Sequence, residues 1–348
     1  MRQLRLIAVV VLVAFVSARP VAAQSLTLSL FEQNLNSLRE QAAIPGLSAA
    51  IVQGDAIAWE KGFGKKDLGT SEPSTELTPY PIGGLSQILS ATVLLKKCVD
   101  EGYLAPSEPV IKWDPTFPDA STTISNLLSH QAAGGTFRYD LGRFAPLANV
   151  IDNCAGAPYR RVLATEILDR MAMQSSVPGQ ALAQPTSADL ALFDPSTLNQ
   201  YTAAVRQMAT PYRIDSSGRA TRADYVPQPL DAASGVISTA HDLANFDRAL
   251  NHQGLLTPSV LTAMMSNVNG LPTGFGWFVQ NYKGVLLVWQ FGMIKDAYSS
   301  LIVRVPSKDM TFILLANSDR LSSPFALENG DVTTSLFAKL FVRLATGQ

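Results

Sequence analysis

Residues 233–243 read ASGVISTAHDL, and this stretch organises the second half of the chain. Its two hydroxyl residues, Ser238 and Thr239, stand directly before a run with helical apolar spacing. Either side-chain oxygen can accept the free N–H groups of a first helical turn, so we predict a helix over residues 240–251. Pro258 begins a second helix that ends near residue 265, because proline is favoured at the first position of a helix.

Short apolar runs separated by turn residues follow these helices, and they predict strands over 276–282, 285–289, 298–305 and 310–316. A final helix is predicted over 333–344. At the other end of the chain, residues 30–41 have helical spacing, and two further strands follow over 47–52 and 56–62. Strands at both ends with helices between them indicate an α/β (α+β) fold. In this fold, one antiparallel sheet is built from both chain ends and flanked by helices.

The middle of the chain supplies an inserted helical subdomain, with helices predicted over 86–102, 124–130, 144–154 and 159–173. Residues 176–229 are richer in Pro, Gln, Ser and Asp, and we predict loops with short helices there. Residues 24–348 therefore form one domain. Its sheet subdomain comprises about 27–80 and 230–348, and its helical subdomain about 81–229.

The N-terminus has the pattern of a secretory signal peptide over residues 1–23. Arg2 and Arg5 precede an apolar run at 6–16, which is too short to span a bilayer comfortably. Small residues at 21–23 predict cleavage after Ala23, and an uncleaved membrane anchor is the alternative. Since no later apolar run approaches the length of a membrane span, we expect an exported protein, periplasmic or secreted, with no stable membrane span after cleavage.

Composition excludes several classes of partner. With 27 basic and 28 acidic residues the net charge is −1, so no basic field is available for nucleic acid. Three histidines far apart in sequence give little support for a metal site, and we predict neither metal nor cofactor. The cysteines Cys98 and Cys154 form either a disulfide or two buried free thiols. The oligomeric state does not follow from the sequence.

Five segments, in their order and spacing, resemble the serine β-lactamase and penicillin-binding-protein family over about residues 30–344. They are IPGLS at 44–48, LLSH at 127–130, ASGVISTAHDL at 233–243, GFGW at 274–277 and LLAN at 314–317. The resemblance implies a β-lactamase/transpeptidase-like fold. It also implies a catalytic cleft that contains three short motifs.

The first motif of the family is Ser-x-x-Lys at the start of a helix, where the ammonium group lies beside the serine hydroxyl and helps to activate it. The aligned stretch here reads PIGGLSQ at 81–87. Gly84 stands at the nucleophile position and Gln87 at the lysine position. Glycine has no nucleophile, and glutamine does not act as a base. Ser86, two residues later, is interpreted as a capping or core hydroxyl.

The other two motifs are also degenerate. The family's Tyr-x-Asn reads Tyr139-Asp140-Leu141, which keeps the tyrosine and loses the amide. Its Lys/His-x-Gly reads Gln290-Phe291-Gly292, which keeps the glycine and loses the cation. Four of five expected polar groups are thus absent together. Tyr139 is the one retained catalytic side chain of the motifs, and Gly84, Gln87, Leu141, Gln290 and Gly292 are predicted to line the vestigial pocket.

Three hypotheses follow from these substitutions. The leading one is a pseudoenzyme that binds a small ligand or partner in the former cleft, with a peptidoglycan-type peptide or another small molecule as the expected ligand. The second is an esterase, amidase or peptidase with an altered mechanism, for which Tyr139 and Asp140 are the candidate residues. The third is a structural or interaction protein with a closed pocket, in which Gln87 and Gln290 are buried and bonded to each other.

Aromatic residues near the third motif admit two interpretations. Trp277, Trp289 and Phe291 could form a platform for a ligand, but aromatic residues on strands usually belong to the core.

Overall fold

The computed structural model describes residues 19–252 and 254–347. Most of the predicted signal peptide, residues 1–18, lies outside this range. The first helix, α1, spans Arg19–Gln41 and so includes the predicted cleavage position.

A seven-stranded antiparallel sheet forms the centre of the molecule, in the order β3-β2-β1-β11-β10-β9-β8. Two small two-stranded sheets, β4-β7 and β5-β6, lie outside it. The strands are β1 Gly46–Gln53, β2 Ala56–Asp67, β3 Glu72–Pro73, β4 Tyr80–Pro81, β5 Tyr212–Ile214, β6 Ala220–Arg222, β7 Ile237–Ser238, β8 Phe278–Tyr282, β9 Val285–Ile294, β10 Tyr298–Val305 and β11 Met310–Ala316.

Most of the helices lie between the two groups of strands in the chain. They are α2 Ser86–Leu94, α3 Ile124–Leu128, α4 Leu141–Phe144, α5 Leu147–Ala155, α6 Tyr159–Leu163, α7 Ser187–Leu192, α8 Pro195–Arg206, α9 Ala240–His252, α10 Pro258–Met264 and α11 Leu336–Thr346. Wider π-helical turns continue α2 over Leu95–Asp100 and α6 over Ala164–Asp169. The predicted antiparallel sheet with flanking helices is confirmed.

The sheet joins the two ends of the chain through β1, which pairs with β2 on one side and with β11 on the other. β1 is buried along its length except at Gln53, as a central strand covered on both faces should be. The turn between β1 and β2 uses Gly54 at a φ of +58°, a conformation that favours glycine.

Two hydrophobic cores cover the two faces of the sheet. On one face, α1 and α11 pack through Phe31, Leu35, Phe337 and Phe341. On the other face, α9 and the inserted helices form the larger core, which contains Leu127 and Leu128 of the LLSH segment. Thr239 is the cap of α9, because its hydroxyl oxygen accepts the N–H of Asp242 at 3.0 Å.

The segment 176–229 is more ordered than we expected. It contains the 12-residue helix α8 and the hairpin β5-β6. Asp194 caps α8 by accepting the N–H groups of Ser196 and Thr197, and Pro195 follows at the first helical position. The predicted loops and short helices are present, as in α7, whereas the hairpin and the length of α8 were not predicted.

Cys98 and Cys154 form a disulfide, so the alternative of two free thiols is not what the structure shows. The bond ties the π-helical continuation of α2 to α5 across a sequence separation of 56 residues. Closing a loop of this size stabilises a fold by roughly 4 kcal/mol in the chain-entropy model.

Within the described residues, no helix is both long enough and apolar enough to cross a membrane.

Candidate functional site

The predicted site residues meet where β9 passes the 3₁₀ turn Gly83–Leu85, directly before α2. Gly84 lies on that turn, and Gln87 lies in the first turn of α2. Gln290 and Gly292 lie on β9, and Tyr139 lies on the loop before α4. The structure brings these five residues together at the boundary between the sheet and the inserted helices.

Gln87 and Gln290 are bonded to each other. Gln290 Nε2 donates to Gln87 Oε1 at 3.1 Å, and the two side chains are 1 % and 0 % exposed. Gln290 also donates to the carbonyl of Gly276 at 2.8 Å and accepts the N–H of Phe291 at 2.9 Å. Gln290 is thus satisfied by the protein itself, which is the arrangement that the closed-pocket hypothesis requires.

His130 is the member of this cluster that the motifs did not identify. Its Nδ1 accepts the backbone N–H of Asp140 at 3.2 Å, so in the neutral ring the proton lies on Nε2. Nε2 then donates to Gln87 Oε1 at 3.0 Å. Burial lowers the pKa of His130 to about 4, against the smaller opposing effect of Asp140. The imidazole is therefore neutral at pH 7.

The one signal for His130 in the sequence was its place in LLSH, which served only as a family marker. Its backbone has a φ of +53°, unusual for a residue other than glycine. Its ring lies against Tyr139 at 4.6 Å and stacks on Phe144 at 5.4 Å between ring centroids. These contacts fix the imidazole between the loop and α2.

Tyr139 closes the cluster on the side of the loop. Its hydroxyl accepts a hydrogen bond from Gln87 Nε2 at 3.3 Å, and its ring packs 5.1 Å from that of Phe291. Burial of the hydroxyl raises the pKa of Tyr139 far above its usual value, although an edge of the side chain reaches solvent. A phenol in this state is neutral at physiological pH and is a poor proton acceptor.

Gly84 has no room for a side chain. A Cβ atom built there would lie 2.6 Å from the hydroxyl of Tyr139 and 2.7 Å from the carbonyl oxygen of Phe291. Tyrosine can swing aside, but the Phe291 carbonyl belongs to β9, which is paired with β10 at this position, Phe291 lying opposite Leu301. A serine at this position would therefore require β9 to move.

Gly292, on β9, permits the same close approach between β9 and the segment 82–84. A Cβ atom there would collide with the carbonyl of Ile82, and that carbonyl also accepts the hydroxyl of Ser300 at 2.7 Å. Ser322 donates to the carbonyl of Gly292 at 3.1 Å. Backbone is thus packed directly on backbone at Gly292, a glycine that the family's third motif also has. Of the residues predicted to line the pocket, Gly84, Gln87 and Gln290 are buried.

Three other predicted residues have structural roles. Leu141 is the first residue of α4 and packs against the larger core. Asp140 caps α4 by accepting the N–H groups of Gly142 and Arg143, and it pairs with Arg138 at 2.8 Å. Ser86 is buried and accepts the N–H of Val236 at 3.3 Å, as expected of a core hydroxyl.

The aromatic residues near β9 belong to the core. Trp277 and Trp289 are 0 % exposed, and Trp289 stacks on Phe278 at 4.2 Å between centroids. The alternative of a ligand platform is therefore wrong. Within the described residues, no group of three or more His, Cys, Asp or Glu side chains could hold a metal ion.

The arrangement offers little for acyl transfer. Its polar side chains are two amides, a neutral imidazole and a neutral phenol, and their hydrogen bonds are directed mainly at one another and at nearby backbone. Acyl transfer by this fold needs a nucleophile beside a base, and neither occupies its position here.

The antiparallel sheet with an inserted helical subdomain, and a cluster at the junction of β9 and α2, define a penicillin-binding-protein and β-lactamase type of serine hydrolase fold. The Beta-lactamase family model matches residues 31–332. The chain therefore belongs to the β-lactamase family.

Similarity to individual proteins is low but extends over most of the chain. PbpX of Bacillus subtilis (strain 168), which carries the name of a penicillin-binding protein, is 24 % identical over 263 residues, or 67 % of this chain. The matched region spans 61 % of the length of that relative.

Two solved structures show the same fold. The octameric penicillin-binding protein homologue from Pyrococcus abyssi superposes with a TM-score of 0.73 at 19 % identity, covering 92 % of this chain and 78 % of that one. The D-amino acid amidase from Ochrobactrum anthropi SV3 gives a TM-score of 0.71 at 19 % identity, covering 91 % and 99 %.

The hydrogen bond between Gln87 and Gln290 can be tested by a double-mutant cycle. We expect Gln87→Met to lower the free energy of unfolding by about 2–4 kcal/mol, because His130, Tyr139 and Gln290 each lose a buried partner. The Gln87→Met/Gln290→Met variant should cost about 1–2 kcal/mol less than the sum of the single variants. Urea unfolding measures all four proteins, with exposed Gln33→Met as the control. Strict additivity would contradict the direct bond.

Stability should depend on pH through His130. Because the folded protein holds its pKa near 4, below the usual value, the folded state binds this proton less readily than the unfolded chain. The contribution of His130 is complete above pH about 6.5 and is lost as the pH falls from there towards 4. His130→Gln should flatten this part of the profile in urea unfolding, and the surface control His252→Gln should not. Identical slopes for His130→Gln and the parent would contradict the assignment.

Proposed function

We propose that this protein is a non-hydrolytic member of the β-lactamase family whose former catalytic cleft is a closed polar core. The observation that carries the proposal is the contact at Gly84, where Tyr139 and the Phe291 carbonyl occupy the space of a nucleophilic side chain. The mutual bond of Gln87 and Gln290 supports it, since both amides stand where the family has cations.

A hydrolase with an altered mechanism has less support. Its candidate residues were Tyr139 and Asp140. The pKa of Tyr139 is raised by burial, which keeps the phenol protonated, and Asp140 is committed to capping α4. Neither side chain adjoins a second group that could act as a nucleophile.

If the protein catalyses no hydrolysis in the cleft, we expect it to function by binding a ligand or a partner. The names of the penicillin-binding relatives suggest a peptidoglycan-type peptide as the partner, and this stays a prediction. Because the former cleft is filled by backbone and by Tyr139, such a partner would have to bind elsewhere on the surface.

We further propose that the protein is exported. The N-terminal sequence supports this, and so does the disulfide between Cys98 and Cys154, since such bonds persist in oxidising compartments.

Covalent labelling tests the loss of activity. The purified protein is incubated with a fluorescent penicillin and its intact mass is measured, beside a Gly84→Ser/Gln87→Lys variant and an active penicillin-binding protein as the positive control. We expect no adduct on the native protein, because it lacks the nucleophile. We expect none on the variant either, because β9 blocks the restored serine.

The native protein tests the absence of hydrolysis, and the Gly84→Ser/Gln87→Lys variant tests the closed cleft. An adduct on the native protein would overturn the non-hydrolytic assignment, and mapping the modified residue would identify the nucleophile. An adduct on the variant alone would leave that assignment standing and overturn the closed cleft.

Export is tested on the full chain expressed in a bacterium that has a periplasm. We expect a periplasmic product that begins at Gln24. Its two cysteines should resist alkylation until the protein is reduced. Recovery of a cytoplasmic chain that begins at Met1 and has two reactive thiols would contradict the proposal.

A further inference from the structure

A cavity of about 570 Å³ lies where the end of α1, the β5-β6 turn and the start of α11 meet. Its volume falls within the usual range of small-molecule sites. It is independent of the function proposed above, because its wall contains none of the motif residues.

One wall of the cavity is apolar. It contains side chains from α1, from the loop before α11 and from α11 itself, namely Leu38, Ala42, Phe325, Leu336 and Phe337. Leu336 is 50 % exposed although it is a large apolar residue in the first turn of a helix, and it stands at the rim. An apolar group in the cavity would cover this exposed surface.

The opposite wall carries the cation of Arg320. Its Nη2 donates to the carbonyls of Ile214 at 2.7 Å and Asp215 at 3.3 Å, which fixes the guanidinium at the β5-β6 turn. Its Nε is buried without a hydrogen-bond partner, and among the described residues Arg320 has no carboxylate within ion-pair distance. The positive charge of this side chain is therefore not neutralised within the described part of the protein.

The start of α11 adds to the positive potential. Ser335 caps the helix through the N–H of Ala338, and the first turn contains no acid. The N-terminal end of a helix attracts anions through its free N–H groups.

One acid lines the same cavity. Asp215 Oδ1 already accepts the N–H and hydroxyl of Ser217 and the N–H of Arg219, and these bonds lower its pKa. It is thus ionised at neutral pH. Its carboxylate is bonded to Ser217 and Arg219 of the turn and not to the guanidinium of Arg320.

We propose that this cavity binds a small carboxylate with an apolar tail, held by Arg320 at its charged end and by the wall of Leu38, Phe325 and Leu336 at its apolar end. Two kinds of molecule share this chemistry, a medium-chain fatty acid and an N-blocked apolar amino acid or peptide C-terminus.

The test uses the mature protein and isothermal titration calorimetry. The probes are decanoate against decanol, and N-acetylphenylalanine against its amide. We expect at least one carboxylate to bind, and its uncharged analogue to bind at least about tenfold more weakly because it lacks the charge-assisted hydrogen bond. Preference for decanoate indicates a fatty acid, and preference for N-acetylphenylalanine indicates a peptide-like ligand.

Variants locate the site. Arg320→Gln should weaken binding of the carboxylate about tenfold, whereas Arg320→Lys, which keeps the charge, should weaken it less. Leu336→Ala should weaken binding of the carboxylate through the tail. Arg343→Gln, in the last turn of the same helix, is the matched control and should bind like the parent. Circular dichroism melting verifies that each variant is folded.

The proposal is overturned if neither carboxylate binds, if the neutral analogues bind equally well, or if a folded Arg320→Gln variant binds like the parent. Should Arg320→Gln fail to fold, an undiminished affinity of Leu336→Ala overturns it.

Discussion

The packing of β9 against the turn Gly83–Leu85 is the constraint on which the junction of the two subdomains depends. Gly292 is the glycine that the family's third motif also has, and Gly84 removes a further side chain at this contact. Strand and turn can then approach to backbone contact. On the proposal made above, what the family uses as a cleft between sheet and inserted helices becomes part of the interior.

Closure of this kind requires neutral side chains. A lysine at position 87 or 290 would have to be buried, and a buried ammonium without a partner carries a desolvation cost of several kcal/mol. An amide avoids this cost if its donors and acceptors are matched. Gln87 and Gln290 meet that condition through each other, the carbonyl of Gly276 and the neutral ring of His130. The loss of charge and the loss of the cleft are therefore two aspects of one physical change.

Much of this structure follows from local patterns in the sequence. β10 and β11 have the predicted bounds, and α9 has its cap at Thr239, because alternating apolar runs and capping hydroxyls act over a few residues. The positions of Gln87, Tyr139 and Gln290 followed from family motifs. The distances between these three side chains did not follow from the motifs. A substitution to glycine is compatible with an empty pocket or with a filled one, and only the path of β9 distinguishes the two.

His130 is a second case in which the sequence pattern does not predict the contacts of a side chain. Its role depends on a tautomer that the backbone of Asp140 selects and on a partner 43 positions away in the chain. Neither contact produces a periodic pattern in the sequence.

The cluster is also cooperative. Serine at position 84 alone would meet the Phe291 carbonyl, and lysine at position 87 alone would leave a buried charge that faces the amide of Gln290. Each single step back towards a catalytic site destabilises the closed fold before any activity can return, since the strand would have to move first.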